Sequence, residues 1–243
     1  MNEETSESDR SKLQQPGESQ TVIRLARPRL VRDAAFEEIK DAIIHGRLKP
    51  GERLVERKLC EATGVGRSSI REVIRRLEAD SLVTMTAHQG PAVARLTLEQ
   101  AGEIYELRAD LEARLVRGYC FHAKDADLER ISKFLPEIRA AELTRDRQAL
   151  VGIMLRFNDH IMDVARLEVT SDLLRVLLAR ISWLRVLSMT QPNRVANSIV
   201  EIGALVEALH RRNPQEAEDA VRYYIANAGC AALEQMRSSP SWF

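Results

Sequence analysis

Sulfur chemistry is nearly absent from this chain. Its three cysteines, Cys60, Cys120 and Cys230, are scattered and odd in number, and no CxxC pair occurs. Neither a disulfide framework nor a cysteine zinc site is therefore expected. Cys60 and Cys120 read as small buried side chains. No apolar run approaches the ~18–20 residues of a membrane span. The polar, acidic beginning lacks an apolar signal segment, so a cytoplasmic location with no membrane partner is expected. Catalytic signatures are missing too: there is no HExxH, Walker loop, GxSxG or GxGxxG. An enzyme is not expected.

Charge is present but uneven. Residues 1–20 carry two basic and five acidic side chains, residues 24–95 fifteen against ten, and residues 96–243 nineteen against twenty-one. The net values of −3, +5 and −2 sum to zero. A basic segment joined to a slightly acidic one suggests that one part meets a polyanion and the other does not.

Residues 1–29 are expected to form a disordered tail, and 237–243 a short one. Ala35, Ile39, Ala42 and Ile43 give a helix stripe that ends near Gly46. A short helix over 56–63 stops at Gly64. A third begins near Arg67, with Ile70, Val73, Ile74 and Leu77 at i, i+3, i+4, i+7. The period then changes: "LVTMT" and "AVARL" read as strands joined by a turn containing Gly90 and Pro91. From Leu98 onward six helices are expected, near 98–122, 125–143, 147–166, 170–189, 194–211 and 214–236. The fold class is mainly α: an N-terminal winged helix-turn-helix over 30–96, then an all-helical bundle over 97–236. With the apolar face of the third helix buried, Arg67, Ser68, Ser69 and Arg71 stand at its exposed start, where a major-groove helix meets bases and phosphates.

The stretch "LKPGERLVERKLCEATGVGRSSIREVIRRLEADSLVTMTAHQGPAV" resembles the DNA-binding domain of the GntR family of bacterial transcription regulators. "LTLEQAGEIYELRADLEARLV" is similar to the start of the helical effector domain, FCD, of the FadR-like subfamily. The resemblance implies that Arg57, Arg67 and Arg71 are the main DNA-contacting arginines, supported by Ser68 and Ser69, with His88, Gln89 and Gly90 at the wing tip. Two departures matter. The family has serine where Gly66 stands and often proline where Ser69 stands. Glycine is a tolerable N-cap, or Ser69 with Glu72 forms a capping box instead.

Many FCD domains hold a metal through an Asp and a His one turn apart, plus a His from each of two later helices. "MLRFNDHIMD" invites that assignment. The apolar stripe here runs Val151, Met154, Phe157, Ile161 and Ala165, with Asn158 inside it. At 100° per residue Asp159, His160 and Asp163 lie roughly 130° or more from its centre and should face outward. The resemblance puts Met154 and Asn158 at the first two ligand positions and Ile202 and Tyr224 at the others. That set suits no ordinary metal, so no metal and no cofactor are expected. Asn158 and Tyr224 either satisfy each other or line a ligand cavity. Arg108, Arg180 and Arg185 are the candidates to bring a positive charge to it.

The expected function is a dimeric repressor, bound to a short inverted repeat in duplex DNA and released by a small anionic metabolite, a carboxylate included. The alternative is a ligand-blind DNA-binding protein whose effector site has decayed. An enzyme using Asp159, His160 and Asp163 is a third class, against which their outward position argues.

Overall fold

The computed structural model describes residues 31–86, 90–189, 191 and 193–238. Helix α1 (Val31–Ile44) buries Ala35, Phe36, Ile39 and Ile43. Helix α2 (Glu56–Thr63) ends at Gly64, whose φ of +69° is open to glycine at little cost and whose N–H reaches the Cys60 carbonyl. Helix α3 (Arg67–Ala79) buries the expected quartet Ile70, Val73, Ile74 and Leu77. A two-stranded antiparallel wing follows, β1 (Val83–Thr86) and β2 (Gly90–Val93), registered from Val83 opposite Val93 to Thr86 opposite Gly90.

The second strand therefore begins earlier than the sequence pattern suggests. Gly90 and Pro91 are strand residues, paired with Thr86 and Met85, rather than the turn. Proline is tolerated because what the neighbouring segment needs from it is a carbonyl: Leu54 N–H donates to Pro91 O at 2.8 Å. Gly51 N–H likewise reaches Val93 O at 2.8 Å, and Val93 N–H reaches Glu52 O at 2.9 Å. The wing is thereby stitched to the loop between α1 and α2.

The remaining helices are α4 (Leu98–His122), α5 (Asp125–Leu143), α6 (Arg147–Ala165), α7 (Glu168–Arg180), α8 (Ser182–Ser188), α9 (Arg194–His210) and α10 (Pro214–Ser238). Thr97 starts α4 with a reciprocal capping box: Gln100 N–H donates to Thr97 Oγ1 at 3.2 Å, and Thr97 N–H to Gln100 Oε1 at 3.0 Å. Helices α4 and α10 form the most extensive packing pair in the bundle. They pack tightly at Gly229, where an added Cβ would stand 3.0 Å from Tyr105 Cγ.

Among the described residues, seven helices stand where six were expected. The segment read as one helix over 170–189 breaks at Ile181 (φ −102°, ψ 9°) into α7 and α8. The break has a tertiary cause. Ala179 packs into the core built from α1, α3 and the wing, while Ile181 and Leu184 belong to the bundle core. One straight helix would not serve both. Among the described residues, no helix is long and apolar enough to cross a membrane.

Candidate functional site

Arg67, Ser68 and Arg71 are exposed at the start of α3, with Ser69 half-buried beside them. Gly66 is the N-cap, in an extended conformation (φ −66°, ψ 156°) without a side-chain cap. The alternative capping box on Ser69 and Glu72 does not form. Glu72 instead accepts from Arg32 at 2.5 Å, fastening α1 to α3. Arg71 Nε donates to both Glu56 oxygens, at 2.9 and 3.1 Å, and Arg57 pairs with Glu61 at 3.1 Å. Such exposed pairs are worth roughly 0–1 kcal/mol, so a phosphate or guanine edge competes with them easily. Arg67 makes no ion pair among the described residues. Gly90 opens β2 at φ +80°, and His88 and Gln89 lie outside the described residues. The basic helix start and the wing thus lie on a surface whose cations are held loosely.

A second constellation lies inside the bundle. Arg108, on α4, is 2% exposed; its Nε and Nη2 donate to Glu112 Oε1 at 2.9 and 2.7 Å. Burial, the largest single influence, works against its charge, but Glu112 together with Tyr105 and Tyr224 outweighs it, so its pKa is raised. Arg185, brought in by α8, is 9% exposed and has no carboxylate within 4.0 Å among the described residues. Burial first and the Arg108 charge second push its pKa down, although a guanidinium remains protonated in proteins. The three charges sum to +1.

Two phenols face this excess. The Tyr105 hydroxyl is enclosed without a hydrogen-bond partner. Tyr224 is half-buried, and both phenol pKa values are raised by burial, against the opposing pull of Arg108 and Arg185. Both hydroxyls are therefore donors at neutral pH. Asn158 and Glu112 share a void of about 10 Å³ with Leu115, Val116, Ile161 and Leu174. That holds at most one water.

Among the residues singled out by sequence, the structure brings Arg108, Arg185 and Tyr224 together and sets Asn158 beside Glu112. Met154 and Ile202 are plain core. Arg180 ends α7 half-buried, its Nε enclosed without a partner, and is not among the charges acting on the two phenols. Tyr105 and Glu112 were missed. Both carry a readable signal: they lie three residues before and four after Arg108, on one helix face, with Glu112 at the i+4 pairing distance.

The outward placement of His160 is wrong. Asp159 and Asp163 are exposed, but His160 is 8% exposed, with Nε2 at 3.2 Å from the Tyr119 hydroxyl and 3.1 Å from the Asp127 carbonyl oxygen. The rings of Tyr119 and His160 meet edge to face at 5.7 Å. Helix α6 packs against both α4 and α5, so its buried arc is wider than one stripe and takes His160 in. Among the described residues no group of three or more His, Cys, Asp or Glu side chains is placed to hold a metal ion.

Comparison with known proteins covers both parts of the chain. The FCD domain matches residues 103–227, and the bacterial regulatory proteins of the gntR family match residues 31–93. The HTH-type transcriptional regulator YdhC of Bacillus subtilis is 28% identical over 203 residues, 83% of this chain and 90% of that protein. The galactonate operon transcriptional repressor of Escherichia coli is also 28% identical, across 76% of this chain and 90% of its own length. In fold the chain is similar to E. coli McbR/YncC (TM-score 0.76, 20% identity, 85% of this chain and 98% of that one). A regulator from a Rhodococcus species is similar as well (TM-score 0.73, 22% identity, 84% and 97%). With a DNA-reading head matched at one end and a helical sensor domain across half its length, this chain belongs to the GntR family of bacterial transcription regulators, in the group that carries an FCD domain.

Proposed function

We propose that this DNA-binding regulator is a dimeric repressor that releases a short inverted-repeat operator when a small monoanion, a carboxylate in the first instance, enters the bundle without a metal. The observation that carries the reading is Arg185: a buried guanidinium with no carboxylate of its own, next to the partnerless Tyr105 hydroxyl. An anion there would bring the local charge to zero and accept from Arg185, Tyr105 and Tyr224 together, with Asn158 completing the polar wall. Arg108 is held in place by Glu112 and supplies the second positive charge. Residues 30–96 act as the reading head, and 97–236 as the sensing and dimerising unit, in the cytoplasm.

Release follows from the placement of α8. It carries Arg185 to the anion, and with α7 it packs against α1 of the reading head. Self-association rests on α7, where Val169, Leu173 and Val176 recur at i, i+4, i+7 and are exposed, with Leu107 of α4 also exposed. A second copy covering this face would give the two-fold symmetry that an inverted repeat demands. The names of relatives such as the galactonate operon repressor support repression as the mode.

A ligand-blind regulator is the second reading, and the smallness of the void beside Asn158 favours it. Thermal shift of chelator-treated protein against small mono- and hydroxycarboxylates separates the two. Stabilisation that disappears in Arg185→Met supports the sensor; a flat response across the panel, unchanged by that substitution, supports the ligand-blind reading.

A further inference from the structure

On the surface of the bundle, α9 and α10 enclose a groove of about 510 Å³ lined by Arg194, Asn197, Val200, Glu201, Tyr223 and Asn227. Its rim is exposed, with Val200 and Tyr223 largely open to solvent. Its floor is not. Arg194 and Glu201 are each 8% exposed and pair through two parallel hydrogen bonds, Nη1 to Oε1 at 3.1 Å and Nη2 to Oε2 at 2.9 Å. Asn227 Nδ2 adds a third bond to Glu201 Oε1, at 2.8 Å.

A buried ion pair contributes little to stability compared with apolar packing of the same volume. Its position suggests another use. The pair floors the groove, and the Arg194 charge is within electrostatic reach of the phenols of both Tyr105 and Tyr224. Helix α10 repeats the arrangement: Tyr223 lines the groove, and Tyr224, the next residue and about 100° further round, faces the cluster. The void beside Asn158 is too small for any organic effector. Something must therefore open, and the polar layer of Arg194, Glu201 and Asn227 borders the groove and is chemically suited to an anion.

We infer that this groove is an outer docking site for small carboxylates and the port to the interior, with Arg194–Glu201 as its latch. An arriving carboxylate replaces Glu201 on the Arg194 guanidinium, fork for fork, and freeing Glu201 loosens the contact between α9 and α10. The inference rests on the interior anion site argued above, but it concerns residues that site does not use.

The test uses a cysteine at the inner end of the route. In the full-length chain with Cys60, Cys120 and Cys230 replaced by alanine, Asn158→Cys is modified with two methanethiosulfonates. One is anionic (sulfonatoethyl) and one cationic (trimethylammonioethyl), and each rate is normalised to that with free cysteine. Glu201→Gln should accelerate the anionic reagent roughly tenfold, the size expected for losing a charged hydrogen-bonded contact, and the cationic reagent much less. Asn227→Ala, which keeps both charges, should give a smaller acceleration with the same preference and carries the test if Glu201→Gln fails to fold. Unchanged rates in both variants, or equal acceleration of the two reagents, overturn the port. If the parent and all variants lack any preference for the anionic reagent, the interior anion site itself fails. A clear anionic preference that ignores the latch residues removes the port alone.

Discussion

Replacing Glu112 by glutamine removes the carboxylate that offsets the buried guanidiniums of Arg108 and Arg185. The sum of the three charges rises from +1 to +2, with Arg108 and Arg185 left to repel each other in a dry interior. The glutamine carbonyl can still accept from Arg108, which now reaches Glu112 Oε1 at 2.9 and 2.7 Å. The loss is therefore Coulombic more than geometric. Breaking a buried ion pair from one side costs roughly 3–5 kcal/mol, and the retained hydrogen bond lowers this to about 2–4 kcal/mol. At about 2–4 °C per kcal/mol for a chain of this size, melting should fall by about 4–16 °C. Circular dichroism at 222 nm follows the bundle directly. Two further readings make the experiment decisive. Arg185→Met in the Glu112→Gln background should recover most of the loss, since it restores the sum to +1. Acetate should stabilise the Glu112→Gln protein more than the parent, because an anion now relieves two uncompensated guanidiniums. A fall below about 2 °C, or a double variant no more stable than the single one, would refute the electrostatic account of this cluster.

Arg67→Ala and Arg71→Ala should each weaken operator binding by about 1–3 kcal/mol in gel shift on a selected site, and equal affinity in both would remove α3 from DNA recognition. Glu56→Gln frees Arg71 from its ion pair and should tighten non-specific DNA binding a few-fold, read by fluorescence anisotropy at fixed salt; unaltered binding would mean that Arg71 does not exchange Glu56 for phosphate. Leu173→Glu on the exposed face of α7 should convert a dimer to a monomer in sedimentation velocity, whereas a persistent dimer would place the self-association surface elsewhere. Elemental analysis of purified protein should find zinc, nickel and manganese well below one equivalent per chain, because Met154, Asn158, Ile202 and Tyr224 offer no suitable donor set; one equivalent bound through His160 would refute this.

The N-terminal half was legible because its signals are local. The stripe Ile70, Val73, Ile74 and Leu77 fixes one face of α3, and Gly64 ends α2. The wing was misplaced by two residues, since nothing local reveals that Leu54 and Gly51 recruit the carbonyls of Pro91 and Val93. In the bundle the errors share one cause: a helix with neighbours on two sides does not obey a single stripe. His160 is buried because α5 covers that side of α6, and its partners, Tyr119 and the Asp127 carbonyl, come from other elements. The break at Ile181 has no proline or glycine to announce it. It arises from the demand that Ala179 and Leu184 enter different cores. Arg185 reaches the cluster only because of that break, which is why periodicity could name it but not aim it.

That break also separates two jobs that are often entangled. From Ala179, seated in the core built by α1, α3 and the wing, to Arg185, buried in the bundle, is six residues of chain that turn at Ile181. The other polar groups of the proposed site, Tyr105, Arg108, Glu112, Asn158 and Tyr224, come from α4, α6 and α10. If the cluster is the effector site proposed above, substitutions on those three helices retune which small molecule is recognised without touching the segment that carries Arg185. On that reading, chimaeras that exchange α4, α6 and α10 between such regulators should inherit the donor's inducer and the recipient's operator.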